Sequence, residues 1–177
     1  MDRHWFLTWT TYGTWLPGDD RGFVSNVDAG DGTTRRINEF GSEPATRMRG
    51  LQIMARKKMK GPPVYLAVEL AKPLFDQFRE TAAVRQWELL AVAIMANHVH
   101  LLVGVPGDPD PHTLLRDFKS YGSRCLNKLV GKPASGTWWT EGGSTRKKDS
   151  NEAIAAAKEY VMKQKSPLLT WNADERG

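Results

Sequence analysis

A chain of 177 residues, 40% of them apolar, is long enough to bury one core and too short for two comfortable domains, so a single domain over 1–177 is expected. No run of about 18 apolar residues is present to span a bilayer, the first residues lack the apolar block of a secretory signal, and the single Cys125 excludes an internal disulfide or a multi-cysteine metal site. A cytoplasmic protein with no membrane partner is expected. The 25 Lys and Arg against 20 Asp and Glu leave a net charge of only +5, but the bases cluster. Eight of them between Arg35 and Lys60 face two acids, and five between His112 and Lys132 face Asp117 alone, a distribution that suits a phosphate backbone and equally the solvated faces of ordinary helices.

In chain order, Trp5 to Tyr12 is aromatic and β-branched and reads as a strand ending at Gly13. Turn chemistry then opens an irregular insertion over about 13–44, which is unusual inside a compact domain. Ala45 to Lys60 reads as a basic helix stopped by Gly61-Pro62-Pro63, and Val64-Tyr65-Leu66 as a short extended piece. Ala67 to Gln86 has Leu70, Leu74, Phe75 and Phe78 at helical spacing, with Pro73 predicting a late start or a kink. Trp87 to Met95 reads as a buried strand joined by Ala96-Asn97 to a second one, His98 to Val105. An amphipathic helix follows from His112 to Val130, its Leu114, Leu115, Phe118, Cys125, Leu126 and Leu129 lying along one side. Thr137 to Thr140 is a candidate strand and Glu141 to Asp149 a polar run. A last helix is capped by Asp149 or Ser150 and ended by Pro167. The order fits an α+β sandwich, an antiparallel sheet covered by helices on one face.

The chemistry lies on two of these elements. His98 and His100 alternate on a strand, so both imidazoles leave one face with Cα atoms about 6.5 Å apart, a spacing that lets two nitrogens converge on one divalent ion. Two satisfied histidines on a half-solvated sheet face would look the same, but the apolar Val99, Leu101, Leu102 and Val103 around them favour use. Tyr160 and Gln164, four apart on the last helix, are neighbours on one face and offer a nucleophile and a third ligand; a tyrosine among alanines is also an ordinary core residue. Together the four supply what phosphodiester transesterification needs: a held cation to polarise the phosphate and a phenol to attack it.

The stretch Met95-Ala96-Asn97-His98-Val99-His100-Leu101-Leu102-Val103 resembles the HUH segment of single-tyrosine transposases, and Tyr160-Val161-Met162-Lys163-Gln164 resembles their Y-x-x-x-Q helix. The opening from Phe6 to Gly18 and the stretch from Trp139 to Arg146 resemble the branch called REP-associated tyrosine transposases. The resemblance implies a ferredoxin-like fold and cleavage of single-stranded DNA near hairpins. It also implies a 5′-phosphotyrosine on Tyr160, with Mg²⁺ or Mn²⁺ on His98, His100 and Gln164. Ala96 stands where many relatives have proline, and Gly22 to Pro44 is longer than the familiar pattern.

Other chemistries fare worse. A histidine-triad hydrolase needs a third alternating histidine where Leu102 stands, H-x-T phosphoesterases need a threonine where Leu101 and Leu102 follow, and H-E-x-x-H is absent. The remaining rival is a domesticated, non-catalytic DNA-hairpin-binding protein. Tyr121, on the basic helix, is the alternative nucleophile. Arg116, Lys119, Arg124, Arg146, Lys147 and Lys148 are the candidate phosphate contacts, and a homodimer is compatible with the sequence. Trp9, Trp15, Trp138 and Trp139 are candidates to stack on unpaired bases, or else to pack on the sheet.

Overall fold

Seven strands and four helices account for most of the predicted elements, in a computed structural model that describes residues 1–17, 19, 25–28, 34–37 and 49–175. The first aromatic run forms β1 (Arg3–Thr10). Within the insertion, β2 (Ser25–Asp28) and β3 (Thr34–Ile37) pair as a separate antiparallel hairpin, where only irregular chain was expected. The basic helix is α1 (Arg49–Lys57), shorter than the predicted 45–60 span, whose first four positions lie outside the described residues. Val64 and Leu66 are the extended piece, their N–H groups donating to Tyr12 (2.8 Å) and Ala96 (2.7 Å). Next come α2 (Val68–Val84), β4 (Glu88–Ile94), β5 (His98–Val105) and α3 (Pro111–Val130). The Asp110 side chain caps α3 by accepting from the N–H of His112.

Beyond the β2–β3 hairpin, two further strands were not foreseen. The expected strand at 137–140 is reduced to a single bridge between Thr11 and Trp139. The pairing partner of β1 is instead β6 (Ser144–Lys147), inside the run read as polar linker. α4 (Asn151–Met162) follows, capped by Ser150, and β7 (Leu169–Asn172) closes the sheet on the far side. Strand order is β6-β1-β5-β4-β7, every neighbouring pair antiparallel. The path β1-α2-β4-β5-α3-β6, with its strands in the order β6-β1-β5-β4, is the split βαβ arrangement of ferredoxin-like folds, extended by α4 and β7. The α+β class and antiparallel sheet are as expected.

Helices were expected on one face. There, α2 and α3 pack Leu74, Phe78, Leu114, Phe118 and Leu126 against Leu7, Trp9, Val92, Val99, Leu101 and Val103. The opposite face is also covered: Ala157 and Val161 of α4 sit on Phe6, Ala91, Ala93 and Leu102. The reason lies in β4 and β5, whose residues 89–94 and 99–105 are buried on both alternations, the pattern of strands covered twice. Small side chains at 91, 93 and 157 let α4 come close. Among the described residues no helix is long and apolar enough to cross a membrane.

Trp9 anchors the first layer, fully buried and edge-on to Phe78 (5.7 Å) and Trp139 (6.1 Å). Trp9→Ala is expected to cost about 3–5 kcal/mol, read as a lower urea midpoint at unchanged slope. A loss below about 1 kcal/mol would mean that the layer collapses around the cavity.

Candidate active site

Strand alternation decides what faces α4. On β5 the side chains of Val99, Leu101 and Val103 go to the α2/α3 core, which sends His98, His100 and Leu102 to the other side. On β1, Phe6 and Thr8 share that side, and Thr8 is the register partner of His100. The result is a groove of about 1030 Å³ lined by Phe6, Thr8, His98 and His100 from the sheet and by Ala156, Ala157, Tyr160 and Gln164 from α4 and the turn after it. Its far end is walled by Trp15, Leu16, Pro17 and the Thr140–Gly143 turn.

The two imidazoles stand 4.7 Å apart, centroid to centroid. Nδ1 of His98 lies 2.7 Å from Oδ1 of Asn97, and Nδ1 of His100 lies 2.8 Å from Oγ1 of Thr8. His100 is buried; desolvation first, then the nearby His98, pull its pKa down to about 3, so its ring is neutral across the physiological range. Phe6 stacks on His100 at 5.5 Å and 16°. The Tyr160 ring meets both edge-on, 5.8 Å from Phe6 and 5.3 Å from His100, while half its surface stays in solvent. Gln164 lies just beyond α4 and not on it: the helix ends at Met162, and the Gln164 Nε2 donates to the carbonyl of Tyr160 at 2.9 Å, which leaves Oε1 as the side-chain atom able to accept or coordinate.

The residues present fit a divalent cation. Among the described residues no three His, Cys, Asp or Glu cluster to hold a metal. Two imidazoles and one amide oxygen make a sparse donor set, which would leave positions for phosphate oxygen and water on an ion such as Mg²⁺ or Mn²⁺.

The candidate phosphate contacts divide. Arg146 and Lys148 line the groove, Arg146 opposite Phe6 in register and the Lys148 ammonium 5.7 Å over the Phe6 ring. Lys147, between them, points to the other side and pairs with Asp149 at 3.0 Å. Arg116 and Arg124 sit on α3, behind the sheet, Arg116 beside Asp117 and Arg124 over the Tyr121 ring. Tyr121 is therefore across the sheet from the histidines. Lys119 reaches from α3 to the carbonyls of Thr140 and Gly142 (both 2.7 Å), and burial lowers its pKa to about 8 against the opposing pull of Glu141. Its ammonium braces the turn that walls the groove. Of the four tryptophans that were candidates for base stacking, Trp9, Trp138 and Trp139 are buried in the core, and the half-buried Trp15 lines the groove.

Phe6, Thr8 and Asn97 escaped the sequence reading. The available signal was alternation: Phe6 and Thr8 flank the buried Leu7 and precede the buried Trp9, so they had to leave the opposite face. A salt titration separates the bases. Arg146→Ala and Lys148→Ala should each lower the log–log salt slope of single-strand binding by about 0.7, whereas Lys147→Ala should leave it unchanged. Equal effects at all three positions would place the strand outside the groove.

A family described as IS200-like transposases matches residues 52–164. No curated protein sequence matches the chain. One similar solved structure is that of the REP-associated tyrosine transposase bound to a REP hairpin, at 12% identity and a TM-score of 0.48, over 90% of this chain and 64% of that one; the chain thus spans less than two thirds of that protein's length. Another is a protein of Deinococcus radiodurans assigned as a transposase, at 16% identity and a TM-score of 0.50 over 94% of both chains, a likeness of fold.

Proposed function

We propose that this chain, which belongs to the IS200-like transposase family, cuts and rejoins single-stranded DNA near hairpins, with Tyr160 as nucleophile and with His98, His100 and Gln164 holding Mg²⁺ or Mn²⁺. The observation that carries this reading is the meeting of Tyr160 with His100, ring to ring at 5.3 Å, on the wall of one groove that also receives His98 and Gln164. When bound, a divalent ion would polarise the scissile phosphate and spread its developing charge.

The chain's own residues do the rest. Arg146 and Lys148 offer cations along the groove floor to hold the phosphates on either side of the cut. Trp15 offers a ring for an unpaired base. The Tyr160 oxygen attacks phosphorus, the bond to the 3′ oxygen breaks, the phenolic proton leaves to water and the freed 3′ oxygen takes one up. The 5′-phosphotyrosine conserves the bond energy, so attack by a 3′-OH reverses the step and joins a strand without ATP. Phe6 keeps the Tyr160 and His100 rings in contact through the cycle. The test is incubation with single-stranded hairpin DNA and Mn²⁺. A protein–DNA adduct that survives denaturation is expected, and its absence over a range of hairpins would leave a DNA-binding module instead.

A further inference from the structure

We infer that Asn97 is a positioning residue whose side-chain carbonyl holds the His98 imidazole in the tautomer that offers Nε2 to the metal. The inference rests on the metal-dependent reading above and names a residue that the reading does not use.

The argument is one of donors and acceptors. An amide oxygen has no proton to give, so the 2.7 Å contact between Asn97 Oδ1 and His98 Nδ1 requires the proton on Nδ1. A neutral imidazole carries one N–H, and the lone pair then falls on Nε2. An imidazole side chain in water prefers the opposite form, with Nε2 protonated and unable to ligate. The contact at His100 is different in kind: the Thr8 hydroxyl, 2.8 Å from Nδ1, can donate or accept, so it follows the ring and does not dictate its tautomer.

Asn97 is also built not to move. Its backbone carbonyl accepts from the Thr11 N–H (2.9 Å), the Thr11 hydroxyl (3.1 Å) and the Thr14 hydroxyl (3.2 Å), with both threonines buried. Leu66 N–H holds the adjacent Ala96 carbonyl at 2.7 Å, and Met95 N–H closes the turn on the His98 carbonyl at 2.8 Å. Two separate segments, at Thr11–Thr14 and at Leu66, thus pin a two-residue connection that would otherwise be a simple hairpin turn. The side chain of Asn97 projects from that clamp into the groove beside His98.

The test uses the full chain with Mn²⁺ as probe and two variants, Asn97→Ala and Asn97→Asp. Nitrogen–proton correlation spectra of the metal-free wild type should show His98 protonated at Nδ1. In Asn97→Ala the Nε2–H form should emerge, and Mn²⁺ affinity, measured by electron paramagnetic resonance, should fall about 10–100-fold. Asn97→Asp restores an acceptor at the same place and should keep the Nδ1–H form, with affinity within a few-fold of wild type. A wild-type His98 protonated at Nε2 would overturn the inference, as would equal Mn²⁺ affinity in wild type and Asn97→Ala. A wild-type protein that binds no Mn²⁺ at all would instead remove the metal reading, and this inference with it.

Discussion

Tyr160→Phe is expected to abolish the covalent DNA adduct altogether while keeping most of the affinity for DNA. The substitution deletes one oxygen and nothing else: the ring keeps its edge contacts with Phe6 and His100, and because half of it is exposed the stability change should stay within about 0.5 kcal/mol. Binding rests on charges and surfaces that the phenol does not supply, so affinity and adduct separate cleanly. Denaturing gels report the adduct and a fluorescence titration reports affinity. Tyr121→Phe is the control; its ring lies behind the sheet beneath Arg124, 5.0 Å from the guanidinium, and adduct should form as in wild type. An adduct that persists in Tyr160→Phe and vanishes in Tyr121→Phe would move the chemistry to α3.

His98→Ala and His100→Ala should each eliminate metal-stimulated cleavage, a larger loss than the roughly 10–100-fold that removing an outer partner of a ligand costs. The two differ in what else they break. His100 is buried, stacked on Phe6 and touching Tyr160, so its removal opens a hole under the nucleophile and should cost about 1–3 kcal/mol of stability as well. His98 is half-buried at the start of β5, and its loss should leave the unfolding midpoint nearly unchanged. His98→Ala is therefore the cleaner experiment. Calorimetric Mn²⁺ titration alongside urea unfolding distinguishes lost coordination from lost folding. Full metal-stimulated cleavage in His98→Ala would remove the metal role from this pair.

Much of this arrangement could be read in the sequence, because it depends on local rules. Alternation on a strand put His98 and His100 on one face, and four-residue spacing put Tyr160 and Gln164 on one side, although α4 stops at Met162 and Gln164 sits in the turn beyond it. What escaped depends on partners distant in the chain. β6 is Ser-Thr-Arg-Lys, with no apolar alternation to announce it; it is a strand because β1 offers an open edge. Gly143 lets it approach, since a Cβ there would come within 2.9 Å of the Thr8 carbonyl. Leu129 followed the helical stripe of α3 yet is half exposed, because α3 outruns the sheet beneath it and Leu126 is the last residue of the stripe to reach the core. Placing α4 on the second face needed the observation that Ala91 and Ala93 form a shallow apolar bed, which composition alone reads only as buried strand.

The element that carries the candidate nucleophile is moored at both ends. β6 and β7, the strands before and after α4, are the two opposite margins of the five-stranded sheet. Between them α4, about 18 Å long for its 12 residues, packs on β4, β5 and β7. α4 is thus a beam tied at one end through β6 to β1 and at the other through β7 to β4. For a tyrosine proposed to hold a severed strand by one covalent bond, this has a mechanical meaning. Tension on the attached DNA is passed along the beam into both margins and is not concentrated on a free-swinging arm. Carrying the tyrosine away from its histidines would mean lifting Ala157 and Val161 off Phe6, Ala91, Ala93 and Leu102, so the apolar bed under α4 also keeps the two halves of the site together.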